Sequence, residues 1–495
     1  MYLLGLDVGS SSVKAAIVDA SSGTALSLVQ QPAIEMGIIS KFPGWAEQQP
    51  EVWWTNTVIA IKKAIGKAGI NGTDIASIGI AYQMHGLVLV DDQLSVLRPA
   101  IIWCDSRAVE IGQHAFDALG KNHCLSNYLN SPGNFTASKL KWVKENESDL
   151  FSKIHKVLLP GDYIAMMLSG VCNTTITGLS EGIFWDFQQH SIAENLLDHY
   201  GISKSILPSQ VPSIGLQAKV KSSVAQDLGL SNSIPVSYRA GDQPNNALSL
   251  GVLQPNQVAA TGGTSGVVYG VVDKLIYDNE SRINSFAHVN HTKEDPRIGA
   301  LLCINGAGIQ YAWMRKHIAR EGIAYADMEK MISDIPVGSD GLRILPFGNG
   351  AERMFNNKDV GAQINNLQFN RHEGSHLYRA SLEGIAFSFI YGFQLLKDLG
   401  LDPEIIKAGN DNLFQSPVFS TTIASLLDIE IELVNTSGAI GAAKASGVGA
   451  GIYATIEEAV GKISTDKNFY PDAHNEAYND AYQLWKIDVE KLIEN

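Results

Sequence analysis

The chain has 495 residues, 45% of them apolar and 18% charged, and carries a net charge of −14. One hydrophobic core stops growing at roughly 250–300 residues, so two large domains with a cleft between them are expected. The composition excludes a disordered chain. The acidic balance excludes nucleic acid as a partner, since no surplus of basic side chains exists to neutralise phosphates.

Residues 2–8 are apolar enough for a buried strand, Gly9-Ser10-Ser11-Ser12 is a turn, and residues 13–18 resume as a strand before Ser21-Ser22-Gly23 turns again. This predicts a β-hairpin opening a sheet. No basic stretch precedes the apolar run and Asp7 interrupts it, so a signal peptide is not expected. Next come a helical stretch at 50–67, a strand at 75–80 leading into Tyr82-Gln83-Met84-His85-Gly86, a strand at 87–90, and helical periodicity at 107–119 and 136–145. Such alternation predicts an α/β protein. Pro208, Pro212 and Pro235 punctuate the following stretch, and a strand at 234–237 precedes a run of turn formers.

A second hairpin comes after these, with strands at 257–261 and 266–272 around Gly262-Gly263-Thr264-Ser265. Both hairpins read as apolar strand, turn of glycine and small hydroxyls, apolar strand. They lie about half a chain apart, which suggests two related halves with their turns aimed at a shared cleft. The join is placed near Gly251, giving domains 1–251 and 252–495. A small-residue helix is expected at 438–450 and a charged amphipathic helix at 475–494, whose packing partner the sequence leaves open. Cys104, Cys124, Cys172 and Cys303 are scattered, as reduced cytoplasmic thiols are, and form neither a disulfide framework nor a zinc site. No run of 18 apolar residues predicts a transmembrane helix.

Several residues are candidates for chemistry. The turns Gly9-Ser10-Ser11-Ser12 and Gly262-Gly263-Thr264-Ser265-Gly266 offer successive backbone N–H groups and hydroxyls, the donors of a phosphate cradle. Each alone also reads as an ordinary hairpin turn. Lys14 comes just after the first turn, within reach of an anionic oxygen. Neither G-x-x-x-x-G-K-[ST] nor G-x-G-x-x-G after a strand is present. Asp7, just before the first turn, would face phosphates only with a cation between, which suits Mg²⁺ bound through water; a turn-capping Asp is the alternative. Asp242 stands among turn formers in Arg239-Ala240-Gly241-Asp242-Gln243-Pro244-Asn245-Asn246. A loop carboxylate there could accept a hydroxyl proton, although read locally it is first a turn residue. His85 is a candidate sugar contact or a satisfied structural histidine. Asp105, after Trp103, reads equally as an acceptor for two sugar hydroxyls and as a helix N-cap. His288 and His291 lack a third metal ligand and are expected to be structural.

Seven segments in chain order resemble the FGGY family of carbohydrate kinases: Asp7-x-Gly9-Ser10, Gln83-Met84-His85-Gly86, Trp103-x-Asp105-x-Arg107, Gly241-Asp242-Gln243, Gly263-Thr264-Ser265-Gly266, Gly306-Ala307-Gly308-Ile309-Gln310 and Gly438-Ala439-Ile440-Gly441-Ala442-Ala443. The resemblance covers nearly the whole chain. It implies a duplicated actin-like, ribonuclease-H-like ATPase fold of two domains around a central cleft that holds ATP and a small sugar. It also implies a cytoplasmic enzyme using ATP and Mg²⁺, with no nucleic-acid or membrane partner, in a family where homodimers are common. Asp242 becomes the catalytic base and Asp7 the carboxylate on the magnesium side. Ser10, Ser11, Lys14, Gly263, Thr264, Gly306 and Gln310 become phosphate contacts, and Gly409, Asn410 and Asn412 adenosine contacts. Met84, His85, Asp105 and Gln243 join Asp242 at the sugar.

The Met84-His85 pair, Lys139-Leu140-Lys141-Trp142-Val143 and residues 157–163 look most like the branch acting on D-xylulose. Two departures stand out. Gly241-Asp242-Gln243 replaces that branch's Gly-Asp-Asn, and Ala408-Gly409-Asn410-Asp411-Asn412 replaces the usual Gly-Gly-Gly-Ala adenosine loop. Ribulose, gluconate, fuculose and glycerol are alternative acceptors. An actin-like or chaperone-like ATPase, or a sugar sensor without catalysis, are the alternatives of other classes.

Overall fold

The computed structural model describes residues 1–461, 465–473 and 475–494. Strands β1 (Tyr2–Val8), β2 (Val13–Asp19), β3 (Ala25–Gln31), β4 (Ile75–Tyr82), β5 (Ile214–Lys219) and β6 (Pro235–Gly241) form one sheet in the order β5-β6-β4-β1-β2-β3. Strands β7 (Val258–Gly262), β8 (Gly266–Val272), β9 (Asn284–Ala287), β10 (Ile298–Ile304), β11 (Ile405–Gly409), β12 (Glu430–Val434) and β13 (Thr465–Phe469) form the other, in the order β9-β10-β8-β7-β11-β12-β13. In the first sheet β1, β2 and β3 pair antiparallel, while β1, β4 and β6 run parallel. In the second, β7, β8 and β10 pair antiparallel, while β7, β11 and β12 run parallel. The halves therefore repeat one topology, the expected duplicated actin-like arrangement. Their antiparallel edge strands differ in origin: β5 precedes β6 in the chain, whereas β13 comes after β12.

The parallel core explains the apolar runs. Leu3, Leu4, Leu6 and Val8 of β1 are all fully buried, as in a strand covered on both faces. The helix Pro50–Ala68 covers one face. It opens on a proline, buries Trp53, Thr57, Ala60, Ile61 and Ala64 at helical spacing, and ends at Gly69 with φ +66°.

The other face is covered from the far end of the chain. The small-residue helix Gly438–Gly449 lies on β1 and β4 so closely that a Cβ on Gly5 would stand 1.8 Å from the Ala439 carbonyl oxygen, and one on Gly79 2.0 Å from that of Ala442. Only glycine permits this approach. The expected split at residue 251 thus cuts across the packing, since residues 438–449 belong spatially to the first sheet.

The C-terminal helix Asn475–Glu494 packs on the second half. Trp485 is fully buried there and its Nε1 donates to the Ile344 carbonyl at 2.9 Å. Among the described residues no helix is long and apolar enough to cross a membrane.

Candidate active site

Three adjacent parallel strands deliver the first group of residues. Val8, Tyr82 and Gly241 stand opposite one another at the carboxyl ends of β1, β4 and β6. The segments that leave these three strands must therefore meet at one edge, the usual ligand-binding edge of such sheets. Asp7, Gln83-Met84-His85 and Asp242 converge in this way. Asp242 is not on a loop, as its turn-forming neighbours suggest. It is the first residue of the helix Asp242–Ser249, where the helix N-terminus favours an anion. Burial outweighs that effect. Loss of solvent, followed by the charge of Asp7, pushes Asp242 up to about 7, even though Gln243 donates to it from backbone and side chain. Burial also raises Asp7, with Lys14, its register partner on β2, acting in the opposite sense. A Cβ on Gly438 would stand 2.7 Å from Asp7 Oδ2, and Asn245 Nδ2 donates to the Gly438 carbonyl at 2.9 Å, so the start of the sheet-covering helix closes this corner.

Met84 is almost fully buried and His85 has φ +61°. His85 Nδ1 lies 2.9 Å from the Glu181 carbonyl oxygen, which can only accept, so Nδ1 carries the proton and Nε2 is left as an acceptor. Burial, then the Lys139 charge, pushes this imidazole down to about 3, so it stays neutral. Its ring packs against Phe135 at 4.9 Å and Phe286 at 5.3 Å. Lys139, fully buried, donates to the carbonyls of His85 and Ile102, each at 3.0 Å, and ties two predicted sugar segments together.

Trp103 Nε1 reaches Ser10 Oγ at 3.4 Å, bringing the Trp103–Arg107 segment onto the first turn. Asp105 fits neither of its expected roles. The helix Val109–Leu119 has Ala108 at its N-cap. The Asp105 carboxylate is fully buried and committed to the protein, accepting from Ala46 N at 2.6 Å and from the Arg107 backbone and guanidinium. It anchors Arg107, which stacks on Trp45 at 3.7 Å and on Trp142 at 4.8 Å.

Sequence reasoning missed Glu181. A Cβ on Gly241 would lie 2.4 Å from Glu181 Oε2 and 2.5 Å from Met84 Cγ, so this acid sits directly behind the Gly241-Asp242 junction. Burial, then the Asp242 charge, raises its pKa well above the ordinary range. Both Gln83 amide atoms are also buried without a protein partner. No local pattern marks Glu181, since its neighbours come from segments tens of residues away.

The second half supplies a cavity of about 640 Å³. The turn after β7 is pinned to the helix Gly308–His317: Gly308 N donates to the Gly263 carbonyl and Ile309 N to that of Thr264, each at 3.0 Å. Gly263, Thr264, Gly308, Tyr325, Asn412 and Gln415 are among the lining residues, with Tyr325 stacked on Tyr311 at 5.5 Å. Of the expected nucleotide contacts, Gly263, Thr264 and Asn412 line this space. The others do not line it. Gly306 N donates to Glu352 at 2.7 Å, Gln310 accepts from Ser381, Asn410 Nδ2 donates to Asp466 at 3.0 Å, and Gly409 closes β11. Ser10 and Ser11 lie on the first turn, their carbonyls accepting from Gln48 Nε2 at 2.7 Å and Met36 N at 2.9 Å. His288 is buried with Nδ1 3.0 Å from Tyr269 Oη, as a structural histidine would be.

Residues 2–249 match the FGGY family of carbohydrate kinases, N-terminal domain. The chain is 28% identical to a xylulose kinase of Bacillus subtilis over 98% of this chain and 96% of that one. It is 26% identical to a xylulose kinase of Escherichia coli over the same shares. A crystal structure of xylulose kinase from Rhodospirillum rubrum superposes with a TM-score of 0.89 over 100% of both chains, at 25% identity.

Proposed function

Since the chain belongs to the FGGY family of carbohydrate kinases, we propose that it transfers the γ-phosphoryl group of ATP to the terminal hydroxyl of D-xylulose, with Asp242 as the catalytic base. The observation carrying this reading is the meeting of Asp7, Met84, His85 and Asp242 at one sheet edge. Relatives acting on xylulose span nearly the whole chain and support the choice of sugar.

In this reading the two sheet domains, with residues 438–449 moving with the first sheet, close over sugar and nucleotide and exclude water that would otherwise hydrolyse ATP. The Asp242 carboxylate takes the proton from O5 as the O5–phosphorus bond forms and the bond to the ADP oxygen breaks. The N–H groups of the Gly263-Thr264 turn and the hydroxyls of Ser10 and Ser11 stabilise the transferred charge, with Lys14 beside Asp7. Met84, His85 and Gln243 shape the acceptor side. Two carboxylates at one corner suit Mg²⁺, which takes one or two protein carboxylates and fills its shell with water and phosphate oxygens. Asp7 would hold the ion through water, and the ion when bound would neutralise phosphate charge. Adenosine would occupy the Tyr325–Asn412 cavity. The free cysteines suit a reducing cytoplasm.

A panel of D-xylulose, D-ribulose, gluconate, L-fuculose and glycerol in an ADP-release assay tests the reading. D-xylulose is expected to give the highest kcat/KM, with the phosphate found on O5. Better turnover of another polyol would transfer the assignment to that acceptor. ATP hydrolysis indifferent to every sugar would point to the actin-like ATPase.

The pH profile carries a second test. A base must be ionised to work, so kcat/KM for the sugar is expected to rise with pH through about 7 and level off above it. Asp7→Asn removes a charge that opposes this ionisation, so whatever activity remains is expected to keep its acidic limb at lower pH. An unmoved limb would mean another group sets it.

A further inference from the structure

The acceptor side of the cleft contains a cation that the proposed transfer does not use. Arg353 opens the short turn Arg353–Phe355, which packs on β10. It is partly buried, its Nη1 donates to Asn284 Oδ1 at 2.9 Å, and it forms no ion pair among the described residues. Asn284 is itself fixed, its Nδ2 donating to Asn130 Oδ1 at 2.9 Å, while Asn130 Nδ2 donates to the Ser285 carbonyl at 2.6 Å. The guanidinium is thus oriented by a neutral amide chain, with most of its donors uncommitted.

Strand geometry says where those donors stand. Asn284 and Phe286 are two apart on β9, so their side chains leave the same face roughly 7 Å apart. Phe286 touches the His85 ring at 5.3 Å. Arg353 therefore stands across from the Met84-His85 wall, on the face that the second half turns toward the acceptor. The electrostatics agree: its charge helps hold His85 neutral and acts on Cys303, which also senses Asp242. A half-buried cation without an anion keeps its remaining donors open to the cleft, where a ligand's oxygens can take the place of water.

We propose that Arg353 is a specificity-determining residue of the acceptor pocket, donating from its free guanidinium edge to oxygens on neighbouring carbons of a polyhydroxy ketose. This rests on the sugar-kinase reading above. A short acceptor such as glycerol leaves part of that edge unpaired, which explains how a chain with the glycerol-kinase-like Gly241-Asp242-Gln243 selects a longer sugar.

The test compares wild type with Arg353→Gln and Arg353→Lys, measuring KM for D-xylulose and for ATP, and D-xylulose binding by calorimetry without nucleotide. In Arg353→Gln the sugar KM and Kd are expected to rise by about tenfold or more, the loss of one charge-assisted hydrogen bond, while the ATP KM stays put. Arg353→Lys is expected to recover part of the sugar affinity and serves if the glutamine variant does not fold. Unchanged sugar affinity in a folded variant overturns the proposal, as do sugar and ATP KM rising together. A wild type that binds the ketose but transfers no phosphoryl group defeats the kinase reading alone. One that binds no ketose defeats both.

Discussion

Asp242→Asn is expected to retain sugar binding and to lose roughly 10²- to 10⁴-fold in kcat, the usual contribution of a positioned general base. The amide matches the carboxylate in shape and keeps its place at the helix N-terminus, so the acceptor pocket should stay intact. The same substitution should stabilise the fold at alkaline pH. The folded-state pKa is raised from 3.8 to about 7, so between those values the native state holds a proton that the unfolded chain has released. This carboxyl therefore makes stability fall as pH rises across that window, the reverse of a salt-bridged aspartate. An asparagine carries no such charge to desolvate and no repulsion from Asp7. Thermal unfolding at pH 8 should show a higher midpoint for Asp242→Asn, with the difference shrinking toward pH 4. Wild-type kcat in the variant would remove Asp242 from its role. A lower midpoint at pH 8 would mean that the charge is compensated.

The second large effect is expected at Gly5. Even one methyl there would lie 1.8 Å from the Ala439 carbonyl oxygen and 2.5 Å from Ala443 N, backbone atoms that cannot rotate away. Gly5→Ala is expected to cost about 3 kcal/mol, the upper end of ordinary overpacking, because the helix Gly438–Gly449 must lift as a body. Chemical denaturation reads this loss, with Gly37→Ala as the control, since a Cβ at Gly37 meets nothing within 4 Å. Activity should fall further than stability alone explains. The lifted helix carries Gly438 and its Asn245 contact away from Asp7. A Gly5→Ala protein as stable and active as wild type would mean that the two surfaces are not so closely seated.

Much of this architecture is legible in the sequence because it is periodic or local. The two hairpins, the helix at 50–67 and the helix at 475–494 announce themselves through alternation, turn residues and helical spacing. Asp7 and Asp242 are singled out by the family resemblance, since read locally each is equally a turn residue. Asp242 reads as a loop residue because Asp, Gln, Pro and Asn together imitate a turn, yet the same residues make a good first helical turn. Asp105 misleads for a related reason. A carboxylate after an exposed tryptophan looks available, and only the fold reveals Ala46 N and Arg107 claiming it. Glu181 and Arg353 are invisible in the sequence, because what distinguishes them is a neighbour such as Gly241 or Asn284 that the chain brings in from far away. Of the expected adenosine contacts Asn412 lines the cavity, whereas Asn410, where the local sequence departs from the family, reaches Asp466 on the edge strand.

The sheet that begins at Tyr2 stays uncovered on one face until residues 438–449 have been made. During synthesis, β1 and β4 would present a glycine-notched apolar surface, and the helix that fits it follows roughly 350 residues later in the chain. Docking of that helix joins segments far apart in the chain and, in the same step, brings Gly438 against Asp7, so that assembly of the catalytic corner coincides with covering of the first sheet.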